Sequence, residues 1–248
     1  MLFPYLRTVF GKENRSSFYK KYPYAGHVPI QDVDSRGAYD GEIGFFYNRI
    51  PKVANSTIVN CLLNYKNVDI GNIEGQYKSY FKKPSGMSLG EVNKLGDSFK
   101  FVFVRNPYSR LLSAYLDKVI RRQYFSADGK YPTTHFSQKS TPPTFTEFCN
   151  YLADGGLYQN AHWAPQNHLL LLPLEEFDFI GKFENLDADI KYLMRQLGGD
   201  QPSIQRAGPP STSADQLLAQ YYSPDLYEFV SELYKEDFNL FGYTKSPN

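Results

Sequence analysis

Two stretches of this chain share one grammar, and it limits the fold more than any composition figure does. Ile43-Gly-Phe-Phe-Tyr-Asn-Arg49 is a short apolar run suited to a buried strand, and it passes through Ile50-Pro-Lys-Val-Ala-Asn-Ser-Thr57 into a helical segment with Ile58, Val59, Leu62 and Leu63 on one stripe. Phe99-Lys-Phe-Val-Phe-Val104 repeats the strand pattern in β-branched and aromatic residues. Asn106 then reads as an N-cap and Pro107 as a first helical residue, before Leu111, Leu112, Tyr115, Leu116, Val119 and Ile120 on one face. Thr144-Phe-Thr-Glu147 is a capping box, and Phe177-Asp-Phe-Ile180 is a further strand. Leu186, Ile190, Leu193, Met194 and Leu197 mark a helix stopped by Gly198-Gly199, and Ser223-Pro224 opens a C-terminal helix. Strand–loop–helix units in series predict the α/β class, a P-loop-like parallel β-sheet flanked by helices in a single domain. Residues 1–42 are polar, Tyr-rich and aperiodic, an irregular N-terminal arm expected to pack on a body spanning 43–248. Residues 121–143 lack periodicity and form a long loop, functional or disordered.

Composition excludes several classes. A 42% hydrophobic and 21% charged content argues against a disordered chain, and a formal net charge of +1 argues against nucleic acid as the partner. Cys61 and Cys149 allow at most one disulfide and show no zinc-type spacing, so free thiols in a reducing compartment are expected. No stretch approaches the ~18–20 apolar residues of a membrane span, and the first residues lack the pattern of a leader. The resulting expectation is a cytoplasmic enzyme of bacterial type, Golgi-lumenal only if an anchor lies outside this sequence. Oligomeric state is not legible.

The chemistry concentrates after the two strands. In Pro51-Lys-Val-Ala-Asn-Ser-Thr57, Lys52 precedes a helix N-terminus carrying two hydroxyls, Ser56 and Thr57, in its first turn. Unpaired backbone N–H groups there carry about half a positive charge, so the segment is chemically an anion cradle. A surface lysine beside an ordinary helix cap reads equally well from this loop alone. It is not a Walker A loop, because none of the Gly-Lys pairs (Gly11-Lys12, Gly129-Lys130, Gly181-Lys182) has the required Gly and Ser/Thr spacing. Arg105 stands at the carboxyl end of the second strand, where ligands of open α/β sheets bind, and Ser113 follows on the next helix. Arg110, close by, could be solvated. Two cation-and-hydroxyl crossings in series point to a ligand with two phosphate-like groups.

These residues carry a resemblance. Pro51–Thr57 resembles the 5′-phosphosulfate loop of the carbohydrate sulfotransferases (the sulfotransferase-2 family), and Val104–Lys118 resembles that family's 3′-phosphate motif nearly position for position. Phe179–Leu186, Tyr234–Tyr243 and Asn160-Ala-His-Trp-Ala-Pro-Gln166 are similar to it as well. The resemblance spans residues 43–243 in order, and the family's usual N-terminal membrane anchor is absent from it. It implies 3′-phosphoadenosine 5′-phosphosulfate (PAPS) as sulfuryl donor, adenosine 3′,5′-bisphosphate (PAP) as product, and no metal. Lys52 would contact the 5′-phosphosulfate, with Val53, Ala54, Asn55, Ser56 and Thr57 around the same group, and Arg105 and Ser113 would hold the 3′-phosphate.

An acceptor hydroxyl needs a general base, and the candidates are His27, His135, His162 and His168. His162 ranks first because it lies in the matched His-Trp-Ala-Pro segment, and His135 second, as a lid residue of the long loop. The acceptor implied is a carbohydrate or glycolipid. An ATP-dependent P-loop-like kinase and a non-catalytic carbohydrate-binding protein are the alternatives. Aromatic residues make up 17% of the chain. Phe45, Phe46, Phe101, Phe103, Tyr115 and Phe229 read as core. Tyr5, Phe18, Tyr19, Tyr22 and Tyr24 of the arm, with Tyr124, Phe125, Tyr131 and Phe136 of the loop, read as rings able to stack on adenine or a sugar.

Overall fold

The computed structural model describes residues 16–68, 77–126, 129–131, 142–199, 204–208 and 211–245. Its four strands are β1 (Gly37–Asp40), β2 (Phe45–Asn48), β3 (Phe99–Val104) and β4 (Phe179–Lys182). The described α-helices are α1 (Ser17–Lys21), α2 (Ile30–Asp34), α3 (Asn55–Tyr65), α4 (Leu89–Lys94), α5 (Pro107–Ala114), α6 (Phe145–Tyr151), α7 (Leu186–Gln196), α8 (Ala214–Tyr221), α9 (Pro224–Leu233) and α10 (Lys235–Phe241). The chain divides into two compact units, residues 1–104 with 168–208, and residues 105–167 with 209–248.

The first unit holds the sheet, in the order β1-β2-β3-β4. Its inner pairs are parallel, with Phe45 opposite Phe99 and Phe101 opposite Phe179, each joined by a long crossover as parallel strands require. β3 is apolar along nearly its whole length because both its faces are covered. Tyr47 stacks on Phe101 with ring centroids 4.6 Å apart. In β4, Gly181 leaves room for the Phe103 ring, since a Cβ there would stand 2.5 Å from it.

β1 departs from the all-parallel expectation by pairing antiparallel to β2, Gly37 opposite Asn48. It also corrects the irregular arm, because residues 16–42 hold α1, α2 and an edge strand. In Gly-Ala-Tyr-Asp only Tyr39 favours a strand, so the ladder with β2 supplies what the other residues lack. Phe18 lies fully buried on Phe46, centroids 5.6 Å apart, and buried Asp34 accepts from Tyr19 Oη at 3.0 Å, Ser85 N at 2.8 Å and Ser85 Oγ at 2.6 Å. Phe18, Tyr19 and Tyr22 are therefore core residues, and no face of theirs is open to a sugar. Tyr5 lies outside the described residues.

The second unit is helical. Asn106 Oδ1 caps α5 by accepting from Tyr108 N at 3.0 Å, and the Thr144 capping box opens α6 as its spacing predicts. Trp163, Phe148, Tyr222, Tyr234 and Phe238 build its core, with Phe125 buried among them. At about 2–3 kcal/mol for each large apolar side chain buried, this aromatic cluster is the main cohesion of the unit. Trp163 Nε1 donates to the Gly156 carbonyl at 2.9 Å, so its polar atom is satisfied. After α5 the chain widens into a π-helix, Tyr115–Arg121. Each i→i+5 closure shifts the residues that follow out of the 3.6-residue phase, so Ile120 of the expected apolar face stands 39% exposed. Phe229 is also exposed, because α9 turns Leu226 and Val230 inward and leaves position 229 on its flank. His135 and Phe136 lie outside the described residues.

Candidate active site

β2 runs into Arg49, which is buried and donates to the backbone carbonyls of Ser35 at 2.5 Å and Arg36 at 3.2 Å, pinning the strand end. Burial lowers its guanidinium to about 10. The turn beyond it is unusual. Lys52 and Ala54 both adopt left-handed backbone angles, φ 72° and φ 62°, on either side of fully buried Val53. Non-glycine residues there cost roughly 1–2 kcal/mol each, and such strain collects at functional turns. Ala54 is the N-cap of α3 and offers no side-chain cap, so the first amides of the helix keep their donors for another acceptor. With Val53 turned into the core, only its backbone can serve a ligand, and the same holds for Ala54.

The side chains of the first turn of α3 are positioned from three directions. Tyr47, fully buried, donates its hydroxyl to Asn55 Oδ1 at 2.7 Å, which leaves the Asn55 amide nitrogen as the donor of that side chain. Thr57 Oγ1 accepts from Ala207 N at 3.2 Å. Gly208, at φ +100°, passes so close to Ser56 that a Cβ there would fall 2.6 Å from Ser56 Oγ. Lys52, the half-buried cation of this loop, Asn55, Ser56 and Thr57 thus sit in one strained turn, as the spacing predicts.

Arg105 and Ser113 belong to the second unit, and both are buried. Arg105 is held at every level. Its N–H donates to Gln166 Oε1 at 3.0 Å, its carbonyl accepts from Gln166 Nε2 at 2.9 Å, and its Nε donates to Ser109 Oγ at 3.0 Å. Gln166 is in turn anchored, its N–H donating to Asp237 Oδ2 at 2.7 Å, while Asn167 N donates to Asp237 Oδ1 at 2.9 Å. Burial raises the Asp237 carboxyl to about 6, against the lowering pull of those two N–H donors. A second contact on the guanidinium is ionic, Arg105 Nη2 to Asp215 Oδ2 at 2.5 Å. Ser113 Oγ accepts from Thr212 Oγ1 at 2.9 Å. Arg110, open to a solvated reading in the sequence, is 1% exposed and ties down the Ala164 and Ala161 carbonyls at 2.7 and 3.1 Å.

His162 is half-buried in the same unit. Its Nδ1 lies 2.7 Å from Asn160 Oδ1, which also accepts His162 N–H at 2.9 Å. Asn160 Nδ2 donates to Tyr131 Oη at 2.8 Å, so its oxygen is the end that faces the imidazole. An amide oxygen only accepts, so neutral His162 carries its proton on Nδ1, which makes Nε2 the accepting nitrogen of the ring. His27 and His168 instead stack on each other at 4.4 Å in the first unit. Tyr131 and Phe125, read from the sequence as free to meet a sugar, pack together at 5.3 Å against Trp163. Sequence reasoning missed Tyr47, Ser109, Gln166 and Asp215. Only Ser109, one helical turn from Arg105, left a local signal.

Among the described residues no three His, Cys, Asp or Glu side chains gather to hold a metal ion. The end of β2 in this α/β protein thus presents a cation, hydroxyls and helix amides, groups whose chemistry suits an anionic ligand. The chain belongs to the sulfotransferase family, whose model matches residues 37–244, and it is a sulfotransferase. Carbohydrate sulfotransferase 14 of Danio rerio is 31% identical over 261 residues, covering 96% of this chain and 69% of that protein. Carbohydrate sulfotransferase 11 of Danio rerio is 28% identical, covering 83% and 66%, and carbohydrate sulfotransferase 9 of Homo sapiens is 25% identical, covering 96% and 61%. The chain therefore spans about two thirds of the length of these relatives. No solved structure matches it. The relatives are vertebrate proteins, which overturns the expected bacterial-type cytoplasmic enzyme. That expectation rested on the want of an apolar span, and such a want does not place a protein. Among the described residues no helix is long and apolar enough to cross a membrane.

Proposed function

We propose that this chain transfers a sulfuryl group from PAPS to a hydroxyl of a carbohydrate or glycoconjugate by in-line displacement. The observation that carries the reading is the turn Lys52–Thr57 in a member of the sulfotransferase family, strained at Lys52 and Ala54 and opening onto helix amides that the N-cap leaves to another acceptor. Carbohydrate as acceptor class follows the names of its relatives.

The acceptor oxygen bonds to sulfur as the bond from sulfur to the bridging oxygen breaks, and the electron pair stays on that oxygen. Lys52 and the amides of Asn55, Ser56 and Thr57 stabilise the charge growing there, which is larger in the transition state than in the ground state. Arg105 and Ser113 hold the 3′-phosphate, the group that separates PAPS from ordinary adenine nucleotides. His162 Nε2 takes the proton of the acceptor hydroxyl while Asn160 holds the ring. These steps need no metal ion.

Calorimetric titration tests the reading. PAP should bind without Mg²⁺ and at least tenfold more tightly than 5′-AMP, the difference expected of a charge-assisted contact worth about 1.5–3 kcal/mol. Arg105→Ala should abolish that preference. Equal affinity for the two nucleotides, or a preference that survives Arg105→Ala, refutes the assignment.

A further inference from the structure

Both residues assigned to the 3′-phosphate touch one short segment from far along the chain. Arg105 Nη2 meets Asp215 Oδ2 at 2.5 Å, and Ser113 Oγ meets Thr212 Oγ1 at 2.9 Å. Asp215 does not orient Arg105, since Ser109 holds Nε at 3.0 Å and Gln166 holds the backbone on both sides. Nor is Asp215 itself confined. Its side chain is 49% exposed while that of Arg105 is 5% exposed, so the ion pair joins a fixed cation to an anion standing in water. A carboxylate oxygen on the edge of a guanidinium has the charge and geometry of a phosphate oxygen on the same edge.

We propose that the segment 211–215 is part of the 3′-phosphate site, with Asp215 as a built-in competitor that holds the Arg105 edge until a phosphate displaces it, and Thr212 as a hydroxyl that passes from Ser113 to the phosphate. The inference rests on the donor reading above and refines its 3′-phosphate site. A 3′-hydroxyl cannot displace a carboxylate from an arginine, whereas a dianionic phosphate can, so the cost of displacing Asp215 falls on 3′-phosphorylated nucleotides and holds their affinity down. Thr212 supplies a donor in the position where Ser113 now accepts. No covalent step is involved.

Isothermal titration of the full chain with PAP and with 5′-AMP tests this. Removing the competing charge in Asp215→Asn should tighten PAP about two- to fivefold, the value of a half-exposed ion pair, and steepen the salt dependence of binding. Thr212→Val should weaken PAP about three- to tenfold, as for one lost hydrogen bond, and leave 5′-AMP unchanged. Glu228→Gln, an exposed change of equal charge on α9, controls for the net field and should leave PAP affinity as it was. Weaker or unaltered PAP binding by Asp215→Asn overturns the competitor role, and unaltered binding by Thr212→Val overturns the second contact. If wild-type protein does not distinguish PAP from 5′-AMP, the donor reading itself has failed. If it does and Asp215→Asn leaves affinity unmoved, only this inference has.

Discussion

Replacing Gln166 by glutamate isolates the hydrogen-bonded support of Arg105 with a change of one atom. Gln166 is fully buried, accepting from the Arg105 N–H at 3.0 Å and donating to the Arg105 carbonyl at 2.9 Å. Glutamate keeps the acceptor and turns the donor into an oxygen facing a carbonyl oxygen. One hydrogen bond, about 1 kcal/mol, is lost, and a buried carbonyl left without a partner adds about 1–3 kcal/mol. The sum is about 3 kcal/mol, which for a chain of 248 residues lowers Tm by about 6–12 °C. The loss should be pH-dependent with a definite sign. Apolar surroundings and the facing carbonyl raise the introduced carboxyl, and once protonated it donates to the Arg105 carbonyl as the amide did. Thermal melts of Gln166→Glu and wild type at pH 8 and pH 5 should show the full deficit at pH 8 and less than half of it at pH 5. Comparing the two proteins at each pH cancels the titrations they share; that of Asp237, which the Gln166 side chain lowers, is read separately by making the same substitution in Asp237→Asn. Gln166→Met, which loses both bonds at any pH, should show no such recovery. A deficit equal at both pH values, or none at either, would refute the account of how Arg105 is held.

Four further outcomes are expected. Asp237 is raised from 3.8 to about 6, so the folded chain binds more protons than the unfolded one between those values and stability falls as pH rises through that window. At 1.36 kcal/mol per decade this removes about 3 kcal/mol between pH 4 and pH 7, and urea melts of Asp237→Asn should lack that component. Lys52→Ala should lower kcat about a hundredfold or more with PAP affinity reduced far less, in steady-state kinetics with a carbohydrate acceptor. His162→Ala should lower turnover about 10²–10⁴-fold with PAP affinity within twofold, and unchanged turnover removes His162 from the mechanism. Ala54→Val, a β-branched residue at φ 62°, should cost at least about 1–2 kcal/mol in urea melts, whereas Ala54→Gly should be neutral or slightly stabilising.

Local signals carried most of the elements and little of the support. Phe99–Val104, closed by Asn-Pro, was legible as β3 because a β-branched and aromatic run needs no distant information. The Thr144 box and the Gly198 stop, at φ +81°, were legible for the same reason. β1 was not, since Gly-Ala-Tyr-Asp becomes a strand only through its ladder with β2. The π-helix was invisible because a 3.6-residue template assumes the phase that it breaks, and Ile120 was misplaced with it. Arm and loop aromatics looked available because periodicity says nothing about a ring packed by partners distant in sequence, as Phe18 is on Phe46. In the site, Lys52–Thr57 was readable as one contiguous turn. Gln166 lies 61 residues and Asp215 110 residues from Arg105, so no window of the chain could pair them.

The interleaving of the helical unit bears on how the chain must be made. Its first segment ends at Asn167, yet the carboxylate that anchors Gln166 comes 71 residues later. At about 5–20 residues per second, a ribosome needs roughly 4–14 s to cover that gap. Throughout it Phe148 and Trp163 wait without Tyr234 and Phe238, the rings that complete their cluster. The nascent chain therefore shows an aromatic surface for seconds before it can be closed, and a ribosome that stalls between residues 167 and 234 leaves a product suited to a chaperone rather than to catalysis.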